Sequence, residues 1–129
     1  MPAYGNHILD KGYNVSAAVS KFRAVKLHAT LEDTVSPVSG VADDVFGVAQ
    51  YEVTTAELAK KKRTRVRSRG ITEMEAGAAI PAHQDVGVDT AGRCIILVTG
   101  SRCVGKSLQI ASGIGVRIAV DLDAGGWIK

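Results

Sequence analysis

Aromatic side chains make up only 5% of the 129 residues, so any core has to be aliphatic and has to pack around the tight turns that 14 glycines permit. Cysteine is limited to Cys94 and Cys103, which rules out a disulfide framework and leaves two reduced, buried thiols as the expectation. Long apolar runs are missing too. None approaches the roughly 18 residues of a membrane span, and the opening MPAYGNHILDKG lacks the apolar centre of a secretory signal. A soluble protein made in the cytoplasm, with no membrane partner, is therefore expected. His7, His28 and His83 stand far apart with no acid or cysteine at ligand spacing, so no metal or other cofactor is predicted. Asp43, Asp44, Asp85 and Asp89 flank glycine-rich turns and fit turn chemistry better than a catalytic carboxylate pair. No residue set nominates an active site, and the chain is expected not to be an enzyme.

What is present is a single-domain length with 46% apolar and 22% charged residues, enough to bury one real core. The net charge of +3 conceals an asymmetry. The segment Lys60, Lys61, Lys62, Arg63, Arg65, Arg67 and Arg69 carries seven of the 16 basic residues, which leaves nine against 13 acidic residues elsewhere. One cationic band thus sits on a mildly acidic protein.

In chain order, residues 1 to 14 mix Pro, Gly and isolated apolar residues without a period and suggest an extended N-terminal arm ahead of a single β-rich domain over 15–129. Tyr4, Ile8, Leu9 and Tyr13 are its candidate contact residues. A strand is expected near Ala24 to His28, and Pro37 and Gly40 break the alternation of Leu31 to Ala42 into an edge strand and a turn. Val45 to Val53 reads as another strand, with Gly47 as a bulge or a point of close approach. Thr54 to Lys62 is the one helical stretch, capped by a hydroxyl, acidic early and basic late. After it, Arg65, Arg67 and Arg69 alternate with Val66 and Ser68, which is a strand with one cationic face closed by Gly70. Ile71 to Pro81 suggests a strand end and a turn at Gly77. Val86 to Asp89 and Cys94 to Val98 form a hairpin around Gly92, and Val116 to Leu122 alternates cleanly as a last strand. The fold class is all-β: a small barrel or sandwich with at most one short helix near 55–62.

Gly100 to Ser107 (GSRCVGKS) fits the phosphate-loop pattern G-x-x-x-x-G-K-[ST] letter for letter. A working loop of that kind needs a helix beginning at the lysine, aimed at the anion. Here SLQIASGIG offers about six residues before glycines stop any helix. A parallel crossover to Ile118–Asp121 would need a dozen or more residues. The sequence therefore favours an antiparallel pair, Leu108 to Ala111 against Val116 to Leu122, over a P-loop NTPase, with Gly105 as a backbone device. The third reading, a small nucleic-acid-binding β domain, draws on the basic band as a phosphate surface. The band contains no aromatic for base stacking, which argues against it; a strand face that meets an acidic protein surface suits it better.

The order of pieces resembles the head decoration, or capsid cement, proteins of tailed phages. The matching residues are Phe46-Gly47-Val48-Ala49, Arg65-Val66-Arg67 closing at Gly70, and Glu75-Ala76-Gly77-Ala78-Ala79-Ile80. They continue with Val88 to Arg93, Val104-Gly105-Lys106-Ser107-Leu108, and Gly115 through Leu122. The resemblance spans roughly residues 35 to 122. It implies a trimeric, β-rich structural virion protein on the capsid exterior, made in the host cytoplasm. Its partners would be the major capsid protein, whose neighbouring subunits it bridges, and other copies of itself. The arm would add a strand to a neighbour's sheet edge.

Overall fold

The period-two alternation of the sequence becomes nine strands in the computed structural model, which describes residues 9–41 and 43–122. They are β1 (Leu9–Val15), β2 (Ala24–Leu27), β3 (Thr34–Pro37), β4 (Gly47–Ala49), β5 (Thr64–Glu75), β6 (Asp85–Val88), β7 (Cys94–Ile96), β8 (Gly105–Ser107) and β9 (Arg117–Leu122). A single short helix, α1 (Thr55–Ala59), separates β4 from β5. The fold is all-β, as the sequence predicts.

The first five strands close a barrel. β1 runs parallel to β3, and antiparallel pairs then lead from β3 to β2, β4, β5 and back to β1. β5 does not stop there. Its first half closes the barrel, and past Gly70, whose φ is +94°, its second half pairs with β9 from Gly70↔Leu122 to Glu75↔Arg117. β8, β6 and β7 complete that second sheet, all antiparallel.

Each sheet has its own core. Tyr13, Val19, Val25, Val35, Ala49, Val53 and Val66 fill the barrel. Met74, Val86, Val88, Ile118, Val120 and Leu122 fill the space between the second sheet and the outside of the barrel. β2 and β4 serve both, because adjacent residues on a strand face opposite ways. Val25 and Ala49 point into the barrel, while Ala24 and Val48 point into the other core. Strands buried on both faces read as unbroken apolar runs, which is why Val48-Ala49 shows no alternation.

The short helix follows from its cap. Thr54 Oγ1 accepts from Glu57 N–H at 3.2 Å, and Glu57 Oε1 accepts from Thr54 N–H at 3.1 Å, a reciprocal capping box.

Five expectations are corrected. The arm drawn over residues 1 to 14 is in part a barrel strand: β1 spans Leu9–Val15, paired with β3 and β5. Tyr13 is a core residue, buried and edge-to-face with Phe46 at 5.4 Å between ring centroids. Gly70 bends β5 rather than ending it. β3 lies between β1 and β2, not at an edge, since Pro37 sits at its last position. On the side away from β5, β9 pairs with Gly105–Ser107 rather than with Leu108–Ala111. Of the latter only Leu108 reaches β9 through its backbone, its N–H donating to the Ala119 carbonyl at 2.9 Å, while Ala111 is held by a bridge to Ile80.

A candidate cationic face on the barrel

The seven cations of the basic band occupy the turn after α1 and the barrel half of β5. The odd positions of β5 point outward while Thr64 and Val66 are buried. Geometry then divides the band. Arg67 is not a free charge: its Nε and Nη2 meet Asp10 Oδ1 and Oδ2 at 2.9 and 3.1 Å, and its Nη1 donates to the Ile71 carbonyl at 2.8 Å. Lys62 Nζ is 2.7 Å from Glu57 Oε2, and that ammonium, with the Thr54 N–H, holds the Glu57 carboxyl below its usual value. Arg63 Nη2 donates to the Gly12 carbonyl at 2.9 Å. Lys60, Lys61, Arg65 and Arg69 are exposed and make no side-chain hydrogen bond or ion pair among the described residues. The face that remains open is a pair of arginines either side of the Arg67–Asp10 pair, with two lysines at the preceding turn.

Of the candidate arm contacts, Tyr4 and Ile8 lie outside the described residues. Leu9 stands opposite Arg69 in the β1–β5 register, and Tyr13 is in the barrel core.

A pocket of about 220 Å³ opens at the end of the barrel, lined by Asn14, Val15, Leu58, Lys61 and Lys62. Val15 and Leu58 are half-buried against the barrel core. Sequence reasoning missed this site because its residues come from β1 and from α1 with the turn after it, more than 40 positions apart.

The phosphate-loop match is no cradle. Lys106 is an exposed residue of β8 whose Nζ lies 3.9 Å from Asp85 Oδ1, and a strand, not a helix, occupies Gly105–Ser107. A side chain on Gly105 would collide with the Asp121 carbonyl of β9, so the second glycine of the motif answers to strand packing. Both cysteines are buried; burial pushes the Cys94 thiol up to about 12, far from the thiolate character of a nucleophile. Among the described residues no three His, Cys, Asp or Glu side chains converge at metal-ligating distance. His28 serves the β2–β3 turn, its Nδ1 accepting from the Thr30 and Leu31 N–H groups at 3.2 and 3.1 Å.

No family model matches the sequence, and no curated protein matches it. Among solved structures, the fold is similar to the N-terminal base of the head fiber protein gp8.5 of bacteriophage phi29. The TM-score is 0.65 at 13% sequence identity, over 95% of this chain and 100% of that one.

Proposed function

We propose that this chain is a structural protein of a tailed-phage virion, which binds the outside of the capsid and stabilises it by bridging neighbouring subunits. The observation that carries this reading is the likeness of fold, over nearly the whole chain, to the base of a phage head fiber. The short glycine-centred motifs of the sequence support it independently, since Gly47 and Gly105 both stand where a strand backbone leaves no room for a side chain. In this reading the protein acts as a homotrimer on the virion exterior and has no catalytic activity. The open cations Lys60, Lys61, Arg65 and Arg69 meet an acidic surface of the major capsid protein, and the residues ahead of β1, with Tyr4 and Ile8, reach a neighbouring sheet edge.

The test is co-sedimentation of purified protein with empty capsids of the phage that encodes it, at low and high salt. The expected result is saturable binding that weakens with salt and is lost in the double variant Arg65→Glu/Arg69→Glu, whose melting temperature stays near wild type because neither residue has a partner to lose. Absence of wild-type binding would overturn the reading. A salt-sensitive shift of duplex DNA in its place would favour the nucleic-acid alternative, and nucleotide binding abolished by Lys106→Ala would revive the NTPase.

A further inference from the structure

Helix α1 ends in a Schellman arrangement. The Lys61 N–H donates to the Leu58 carbonyl at 3.0 Å, and the Lys62 N–H donates to the Glu57 carbonyl at 3.1 Å. The motif requires its penultimate residue to adopt the left-handed conformation, and Lys61 has φ +59°. Glycine is usual there because a Cβ crowds the backbone at positive φ. Lysine carries that strain for no intramolecular return: its ammonium makes no ion pair among the described residues, and the side chain is exposed. A residue held in a costly conformation without a structural partner points to a function for its side chain.

That side chain lines the 220 Å³ pocket at the barrel end. Its floor is apolar, formed by Val15 and Leu58. Its rim is polar, with Lys61, Lys62 and Asn14. Lys62 is neutralised by Glu57 at 2.7 Å, so Lys61 supplies the net positive charge. Asn14 is anchored by its backbone N–H to the Asp33 carbonyl at 2.8 Å, and its side-chain amide has no partner among the described residues. The volume suits one or two side chains rather than a metabolite.

We propose that this pocket is a subsite for an acidic, apolar peptide segment of a protein partner. An aliphatic side chain packs on Val15 and Leu58, and a neighbouring carboxylate meets the Lys61 ammonium, with the Asn14 amide as second donor. The aliphatic floor favours such a segment over a bare phosphate, which would gain nothing from it. The inference rests on the capsid reading only for the identity of the partner; the pocket's ligand chemistry stands on its own geometry.

The test is an NMR titration of the full chain with N-acetyl-leucyl-glutamate amide, N-acetyl-leucyl-glutamine amide and inorganic phosphate. The acidic peptide is expected to move the amide signals of Val15, Leu58 and Lys61, and to bind about two- to five-fold tighter than the glutamine analogue, the upper part of the range for one partly exposed charge pair. Lys61→Gly removes the ammonium and relieves the strained φ together. It should melt at the same or a higher temperature while losing the preference for the acid. Lys61→Gln, which keeps the strain, should lose the preference as well. Equal binding of the two peptides overturns the proposal, as does a preference retained by Lys61→Gly or phosphate shifts matching those of the acidic peptide. Because these probes involve no capsid, a failure of capsid binding and a failure of the pocket are read separately.

Discussion

Arg67 and Asp10 clasp one another across β5 and β1, Nε to Oδ1 at 2.9 Å and Nη2 to Oδ2 at 3.1 Å, with about a fifth of each side chain exposed. The pair joins the first strand of the barrel to the strand that closes it. Bidentate geometry and partial burial make it worth more than a surface ion pair.

Arg67→Ala should therefore destabilise the fold by about 1–3 kcal/mol, the range for hydrogen bonds to charged groups. Arg65→Ala, two residues away on the same face, should change stability by less than about 0.5 kcal/mol. Urea denaturation of the two variants checks this, and equal midpoints would show that the clasp contributes nothing. It follows that Arg65 and Arg69, not Arg67, are the residues to reverse when probing the cationic face.

Gly105 and Gly113 make a second contrast. A Cβ on Gly105 meets the Asp121 carbonyl and carbonyl carbon, whereas one on Gly113 meets nothing within 4 Å. Gly105→Ala should cost about 1–3 kcal/mol through forced separation of β8 and β9. Gly113→Ala should be neutral or stabilising by up to about 1 kcal/mol, since it restricts only the unfolded chain. The same urea denaturation would reveal a tolerant Gly105, and that result would contradict the strand register.

Asp43 supports the loop before β4. Its Oδ2 accepts from the Ser39 N–H at 2.9 Å, from the Gly40 N–H at 3.1 Å and from Lys26 Nζ at 3.1 Å. The Ser39 hydrogen bond is the largest influence holding its carboxyl below the usual value, with Lys26 and Gly40 acting in the same direction against a desolvation cost. A depressed folded-state value means that stability from this group is complete above about pH 4, the ordinary aspartate range, and is lost as pH falls through the lower folded value. Asp43→Asn should therefore narrow the stability gap between pH 7 and pH 3. Thermal melts across that range check the sign; an unchanged gap would remove Asp43 from the acid response.

Cys94 should resist alkylation. With its thiol pushed up to about 12 by burial, the reactive thiolate is almost absent at pH 8. Iodoacetamide followed by mass spectrometry should label Cys94 in denaturant and leave it unmodified in the native protein over the same interval. Rapid native labelling would mean that the second core opens readily.

Much of this architecture was legible because its signals are local. Thr54 and Glu57 three residues apart announce the helix start. Arg65 to Arg69 and Val116 to Leu122 show period two, and Thr90 to Arg93 mark a hairpin whose Gly92 has φ +81°. β1 was illegible because LDKGYNV mixes polar and apolar residues, and its place is set by pairing with β5 more than 50 positions away. The basic band was visible as charge, but alternation cannot tell a free arginine from one clasped by an aspartate. That distinction between Arg65 and Arg67 is long-range. Lys61 illustrates the same limit in a smaller space: nothing in KKKR marks the middle lysine as the one with left-handed backbone.

The shared walls of the two cores carry a mechanical consequence. β5 passes through both sheets, and β2 and β4 give one face to each core. Neither half can melt while the other keeps its lining, so denaturation should be a single cooperative event with no surviving half-folded module. Force applied along β5 would load the ladders to β1 and β4 and the ladder to β9 in shear, many hydrogen bonds at once rather than one after another.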